Sequence, residues 1–253
     1  MLRPKRHLLL LLILISTVTT IAYSTSYEPM TKEQVLEVLS DTKPNEIPNL
    51  RAKDFRGLDL SGVDFKGADL FGTHMQGVKL RGANFDNTHM DITILRGADL
   101  EGATLRNASL FGVVLVDANL KGADLSGARL IADLKRANLE GANLSSANLA
   151  ADMKNQPMGK VRVLMENANL KGANLSGTKL SGCEMKFANF TDANLTGADL
   201  SGCDLRSAVF SNANMAGANL TSARISGAKF DGIQGKDQII GLEQAVGTDE
   251  ATF

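Results

Sequence analysis

Large apolar residues return at every fifth position along most of this chain. The series is unbroken from Phe55 to Leu130, resumes from Leu134 to Leu149, and resumes again from Met165 to Phe230. A small residue, usually Ala, lies two positions before each large one, and the residue between them is polar, mostly Asp or Asn. Repetition at a short fixed period predicts a solenoid, in which similar units stack and bury a continuous core.

A five-residue period fits a short strand followed by a corner. An α-helix repeats every 3.6 residues, so apolar residues five apart would drift around it, and a Gly in every unit would cost about 0.8–1 kcal/mol. In a strand, residues two apart point to the same side. The small and the large residue therefore face inwards together, the polar residue between them faces outwards, and the frequent Gly marks a corner that needs positive φ.

The repeated texture, as in Gly-Ala-Asp-Leu-Ser-Gly and Gly-Ala-Asn-Leu, resembles the pentapeptide-repeat family over about 180 residues. The resemblance implies an all-β solenoid, a right-handed quadrilateral parallel β-helix with four units, or about 20 residues, in each coil. Phe190, Phe210 and Phe230 lie 20 residues apart, which supports this coil length independently. The 34 regular units then predict about 8–9 coils and, at ~4.8 Å per coil, a stack about 40 Å long.

Short helices are expected to cap both ends of the tube. Thr31-Lys32-Glu33-Gln34 has the spacing of a capping box, and the apolar positions that follow predict an amphipathic helix over 31–41. We expect residues 25–49, this helix and a linker, to cover the first end of a β-helix spanning 50–233. A helix that binds a partner is the alternative. Residues 234–253 are expected to cap the second end with a further short helix.

Residues 1–24 have the features of an export signal. Three basic residues precede an unbroken apolar run from Leu8 to Ile15, and Ala22-Tyr23-Ser24 is a small-x-small cleavage site. The apolar run is short for a membrane-spanning helix. The sequence therefore predicts a signal peptide and export, to a bacterial periplasm, to the medium or to a compartment like the thylakoid lumen. An uncleaved anchor in the inner membrane is the alternative.

Composition and motifs argue against catalysis and nucleic-acid binding. The net charge is −1 and the signs are interspersed, so no basic stripe predicts direct nucleic-acid binding. We find no nucleophile paired with a base and no usable nucleotide-binding glycine pattern, and therefore expect neither an enzyme nor a cofactor. His74 and His89 lie in outward slots three sides apart. They are expected to face different directions, which predicts no metal site.

The two cysteines occupy equivalent positions in neighbouring coils. Cys183 and Cys203 each lie two positions before a large apolar residue, where Ala usually lies. Stacked one coil apart, their backbones are near the separation that a disulfide tolerates, and an oxidising exported compartment would allow the bond. The alternative is that both are small apolar residues replacing Ala.

An apolar patch interrupts the polar exterior. Seven apolar residues lie in slots that should face outwards, and with a 20-residue coil they fall in neighbouring columns around one corner of the tube. Such a patch indicates an interface, although the N-terminal segment or the loop described next could equally cover it. The candidate interface residues are Phe71, Ile92, Ile94, Phe111, Val114, Val116 and Ile131.

Residues 154–164 fit no repeat and predict a loop that interrupts the β-helix. This loop carries Lys154, Lys160 and Arg162. Loops on rigid solenoids often carry recognition, so these three residues are candidate contacts. A tolerated insertion is the alternative.

These features predict a non-enzymatic, exported scaffold that binds an unknown protein partner or a second copy of itself, with membrane contact only through an uncleaved leader. The family resemblance supplies the alternative, because some members look like B-form DNA and bind DNA gyrase. That activity needs a cytoplasmic location and an acidic face. An export leader and alternating charges do not match these requirements.

Overall fold

The computed structural model describes residues 27–65, 67–150 and 162–253. The predicted export signal, and Lys154 and Lys160 of the predicted loop, lie outside the described residues. Within them the chain winds into a four-sided tube of stacked coils, joined by parallel β-bridges between each coil and the next. The inward and outward positions of the repeat are those that the sequence predicts.

Each face of the tube is a column of outward residues, one from each coil. Face 1 begins at Asn49, face 2 at Asp54, face 3 at Asp59 and face 4 at Asp64, and each of these pairs with the residue 20 positions further along. This spacing confirms the predicted coil length. Among the described residues, face 1 runs through ten levels: Asn49, Asp69, His89, Ser109, Arg129, Asn148, Lys179, Asp199, Asn219 and Ile240.

Backbone hydrogen bonds hold neighbouring coils together and close the corners. On face 1, the Leu50 N–H donates to the Asp69 carbonyl at 2.9 Å, and equivalent bonds recur along the tube. At a corner, the Leu58 N–H donates to the Phe55 carbonyl at 3.1 Å across a turn in which Gly57 has a φ of 78°. Glycine adopts this conformation without a steric penalty, which explains its place in the repeat.

The interior consists of ladders of like side chains. The large apolar residue of each described repeat is buried, and so is nearly every small residue two positions before it. Phe65 stacks on Phe85 with ring centroids 4.4 Å apart, and Phe190, Phe210 and Phe230 form a second stack at 4.8 Å. Each such side chain contributes about 1.5–3 kcal/mol by burial, so the stabilising core extends along the tube.

A helix and a short strand cover the first end of the tube. β1 (Glu28–Pro29) pairs in parallel with β2 (Lys53–Asp54) at the edge of the first coil. α1 (Lys32–Asp41) begins at the predicted capping box, in which both reciprocal hydrogen bonds are present. Val35 and Leu39 of α1 are buried in the same cluster as the tube core, so α1 shields the apolar interior from water.

Two longer strands replace the usual corner in the middle of the tube. β3 (Ser109–Val114) pairs in parallel with β4 (Arg129–Asp133), and the register shifts between Phe111 and Val113. The shift accommodates the contracted, four-residue unit that ends at Leu134. Because β4 is one residue shorter than β3, one residue of β3 has no paired residue in β4, and the inward positions of the two coils stay aligned.

The second end differs from the expected capping helix. Residues 234–253 form a further coil, which pairs with the coil below through Gln234, Ile240, Val246 and Thr252. These four residues lie six apart rather than five. The last coil is therefore wider than the others, and it adds a level to the 8–9 coils expected from the five-residue repeats alone.

The corners of this last coil take up the extra residue on each side. Two of them are single 3-10 turns, Lys236–Gln238 and Leu242–Gln244. Gly235, Gly241 and Gly247 also recur every six residues, with φ of 71°, 70° and 85°. A period of six marked by Gly is thus the sequence signal for the terminal coil.

Candidate interaction surface

Five residues of the predicted patch form an apolar ridge along the corner between faces 1 and 2. Phe71, Ile92 and Phe111 lie at this corner in three successive coils, and Ile94 and Val114 lie beside it on face 2, paired with each other. Each of the five side chains is half-buried. We call these five residues the apolar corner.

The two other predicted members are not part of this exposed ridge. Ile131 pairs with Phe111 in the column above it, as predicted, but it is only 3% exposed. Val116 follows the inward residue that ends face 2, so it lies at the opposite edge of that face, and it is 4% exposed. Neither side chain offers much area to a partner.

Ile92 adopts a backbone conformation that branched residues avoid. Its φ is 55°, and within the described ranges no other β-branched residue has a positive φ. Gly72 and Gly112 hold the same corner position in the coils below and above, and a Cβ on Gly112 would lie 3.2 Å from Ile92 Cγ2. The two glycines leave room for the Ile92 side chain, but they do not relieve its backbone strain.

Arginine side chains lie over both aromatic rings of the apolar corner. The Arg51 guanidinium is 4.2 Å from the centre of the Phe71 ring, and the Arg129 guanidinium is 5.2 Å from that of Phe111. Such contacts are worth about 0.5–1 kcal/mol at exposed sites. Aromatic residues, Phe included, and arginine are enriched in the buried core of protein interfaces.

The two histidines face different directions, as predicted, but both border the apolar corner. Because each coil has four sides, a residue three sides further along lies on the face next to that of the first residue. His74 on face 2 and His89 on face 1 therefore occupy adjacent faces. His74 Nδ1 is buried without a hydrogen-bond partner in the described part of the chain. Burial lowers the pKa of His74, and the nearby positive charge of Arg56 lowers it further.

The predicted loop contact Arg162 belongs to the tube. Its Nη1 donates to Glu184 Oε1 at 2.9 Å, which links it to the coil above. Val163 is already fully buried and Leu164 pairs with Asp133, so the coil is regular again before the predicted loop end at 164. The role of Arg162 as a contact for a partner stays a prediction.

Both cysteines are free thiols inside the tube. The structure therefore has them as small residues that replace Ala and not as a disulfide. Cys203 Sγ donates to the Leu180 carbonyl at 3.0 Å, as the Thr73 hydroxyl does to the Leu50 carbonyl at 2.9 Å. Each thiol thus takes the place of a small residue and bonds to the coil below. Contact with Cys203, followed by burial, raises the pKa of Cys183.

Charges on the outer faces are paired and of both signs. Arg206 donates two hydrogen bonds to Asp204, at 2.8 and 2.7 Å, and this lowers the pKa of the Asp204 carboxyl. Arg136 binds Asp117 in the same way, at 2.7 and 2.8 Å. Exposed pairs of this kind contribute at most about 1 kcal/mol each. They also mean that these charges do not build an acidic face.

Phe187 is an exposed aromatic residue that sequence reasoning missed. It occupies a corner position usually held by Gly, with a φ of 59°, and it is 58% exposed. The available signal was a Phe where the repeat places Gly. Phe187 follows face 2 and lies away from the apolar corner, so it does not extend that surface.

The described residues hold neither a metal cluster nor a spanning helix. No group of three or more His, Cys, Asp or Glu side chains in the described ranges is arranged to hold a metal ion. Within the same ranges, no helix combines the length and the apolar character needed to cross a bilayer.

Comparison with known proteins identifies the repeat. The profile of pentapeptide repeats matches in eight copies, over residues 49–87, 93–130, 132–150, 168–206 and 198–233, which is more than half of the chain. This chain belongs to the pentapeptide-repeat family. The right-handed quadrilateral β-helix expected from the resemblance is confirmed. No curated protein sequence matches the chain.

Two solved structures illustrate the similarity. HetL, a pentapeptide repeat protein involved in heterocyst differentiation regulation from the cyanobacterium Nostoc sp. strain PCC 7120, is 31% identical; the match covers 87% of this chain and 98% of HetL, with a TM-score of 0.50. QnrB1, a plasmid-mediated fluoroquinolone resistance protein, is 21% identical over 72% of this chain and 92% of its own, with a TM-score of 0.63. The second likeness concerns the fold alone.

Proposed function

We propose that this protein is a non-enzymatic scaffold that binds another protein through the apolar corner. The observation that carries the proposal is the strained conformation of Ile92 at the centre of that surface. A non-glycine residue in such a conformation costs about 1–3 kcal/mol. The neighbouring coils place Gly at the same position and avoid this cost. An apolar side chain kept there at a cost to stability is explained by a contact outside the chain.

The tube supports such a contact because it is rigid. The backbone of each coil is hydrogen-bonded to the coils above and below it, so the coils that carry Phe71 and Phe111 are held in place relative to each other. A partner that binds this ridge meets a preorganised surface and orders few side chains, which favours affinity. The involvement of HetL in regulation agrees with a role in binding.

Export of the protein is the second part of the proposal. It is supported by the basic residues, apolar run and cleavage site within residues 1–24. Fractionation of cells that express the chain with a C-terminal tag tests it. We expect the tagged protein outside the cytoplasm and shortened by about the length of the leader; a full-length cytoplasmic product would contradict export.

Gyrase binding is the weaker candidate. QnrB1, a fluoroquinolone resistance protein, shares the fold with this chain but is only 21% identical. The paired charges on the outer faces also differ from the acidic surface that DNA mimicry requires. A supercoiling assay with the chain lacking residues 1–24 is expected to show no inhibition of gyrase.

Site-specific photo-crosslinking tests the proposed surface. A photoreactive phenylalanine analogue replaces Phe111 in the full-length protein, in the cells that normally make it. The control carries the analogue at Lys121, an exposed residue of the same coil at the opposite corner. We expect one discrete adduct from position 111 and none from position 121. An adduct of twice the chain mass identifies a second copy as the partner.

The same experiment can refute the proposal. If position 111 gives no adduct, or if both positions give the same adducts, the apolar corner is not a specific docking surface. Mass spectrometry of a discrete adduct names the partner directly.

A further inference from the structure

His89 lies between two carboxylates at the edge of the apolar corner. Its Nδ1 is 3.3 Å from Asp69 Oδ1, in the coil below, and its Nε2 is 3.1 Å from Asp91 Oδ2, two residues further along. The Nε2 contact is a hydrogen bond, and the Nδ1 contact lies at ion-pair distance.

The charged imidazolium favours both contacts. A neutral imidazole has one N–H donor and one lone pair, whereas the imidazolium has two donors. In the neutral form one of the two nitrogens beside a carboxylate carries no proton, which makes that contact repulsive. Loss of one ring proton to solvent therefore weakens one of the two contacts.

The same two carboxylates hold the two phenylalanines of the apolar corner. The Phe71 N–H donates to Asp69 Oδ1 at 3.1 Å, and the Phe111 N–H donates to Asp91 Oδ1 at 2.9 Å. His89 thus connects the two carboxylates that bind the backbone N–H groups of Phe71 and Phe111. The Phe71 ring is also in contact with the imidazole, with centroids 5.7 Å apart.

Other charged and polar groups surround this link. From below, Arg51 pairs with Asp69 at 2.6 Å. From above, Ser109 pairs with His89 across the coils, and its Oγ donates to Asp91 Oδ1 at 2.6 Å. Each carboxylate therefore keeps another donor when His89 loses a proton, so deprotonation loosens the corner without unfolding the coil.

We propose that Asp69, His89 and Asp91 form a proton-operated latch that fixes Phe71 and Phe111 for docking when the imidazole carries both ring protons. Its use in docking rests on the proposed function of the apolar corner. The latch itself is a property of the isolated chain and is measured without a partner.

NMR of the full-length protein labelled with ¹⁵N-phenylalanine tests the latch. The chain has 10 Phe residues, so the amide signals of Phe71 and Phe111 can be followed individually as the pH is raised from about 5 to about 8, across the ordinary histidine range. We expect both signals to shift at one common midpoint, the midpoint of the His89 ring resonances. His89→Gln is expected to abolish this step in both.

A second variant makes the test specific. In Asp91→Asn the link to Phe111 is weakened while the link through Asp69 is left intact, so we expect the Phe111 response to shrink and the Phe71 response to persist. The latch is overturned if the two amide signals do not shift with pH, or if they shift at the midpoint of the His74 ring resonances. It is also overturned if both signals still shift together in His89→Gln.

Crosslinking separates the latch from the docking proposal. We expect the adduct from position 111 to form more efficiently at pH 5.5 than at pH 8 in the wild-type latch, and with little pH dependence in His89→Gln. NMR steps without any adduct would leave the latch standing and overturn the docking surface. An adduct without pH-dependent NMR shifts would overturn the latch and leave the docking surface standing.

Discussion

Phe210→Ala removes the central ring of a stack and probes the interior directly. Phe210 is fully buried, and its centroid lies 4.8 Å from those of Phe190 and Phe230 with the ring planes 2° apart. Burial of a Phe side chain contributes about 1.5–3 kcal/mol, and each aromatic contact adds about 0.5–1.5 kcal/mol. We expect a loss of about 3–5 kcal/mol, the usual cost of Phe→Ala in a core.

Urea and thermal unfolding, followed by circular dichroism, measure this loss. For a chain of this length each kcal/mol lowers Tm by about 2–4 °C, so the expected decrease is about 6–20 °C. Phe187→Ala is the matched control, because Phe187 is 58% exposed and its truncation should change stability by no more than about 0.5 kcal/mol. Equal effects of the two substitutions would refute the inward assignment of the five-residue series.

Three further predictions concern the inner columns, the corners and pH. Ala123, fully buried, should not accept Leu: we expect Ala123→Leu to lose about 1–3 kcal/mol by overpacking and Ala123→Ser to be tolerated, as thermal melts can show. Gly241→Ala should destabilise more than Gly102→Ala in the same melts, because the new Cβ would lie 2.8 Å from the Thr221 Cα in the first case and meets nothing within 4 Å in the second. The pKa of His74 is lowered on folding, so the folded state binds a proton at His74 less readily than the unfolded state does. The folded state is therefore favoured above the ordinary histidine pKa near 6.5 and loses this stability as the pH falls. Urea titrations at several pH values should show less acid destabilisation in His74→Gln than in the wild type.

Much of the fold could be predicted because the repeat constrains every position in the same way. When a strand alternates inward and outward residues and ends at a Gly corner, the Leu and Ala columns must both face the interior of the tube. The ladder of Phe190, Phe210 and Phe230 then follows from their 20-residue spacing, and the structure confirms it. The column shared by Phe111 and Ile131 was predictable for the same reason.

The terminal coil was not predicted because its period changes. Ile239, Ile240 and Leu242 are apolar at a spacing that favours a helix when they are considered alone. The glycines at 235, 241 and 247 keep a six-residue rhythm, which lengthens each side without breaking the stack. Continued pairing with the coil below outweighs the local helical preference.

The features on which the two proposals rest depend on details that a repeat pattern does not contain. The positive φ of Ile92 follows from its corner position, but the strain becomes apparent only once that corner is recognised as a turn. The link from Asp69 through His89 to Asp91 depends on side-chain conformations and on the closure of four sides into one coil. Neither the five-residue period nor the composition carries that information.

Thiol labelling of the corner tests the central claim most directly. Cys183 and Cys203 are buried, so a cysteine introduced by Phe111→Cys or, at the opposite corner, by Lys121→Cys is the accessible thiol under native conditions. We expect maleimide to label both in the purified protein, and an extract of the protein's own compartment to slow labelling at position 111 alone. Unchanged labelling at position 111, or equal protection at both positions, would contradict a docking surface on this corner.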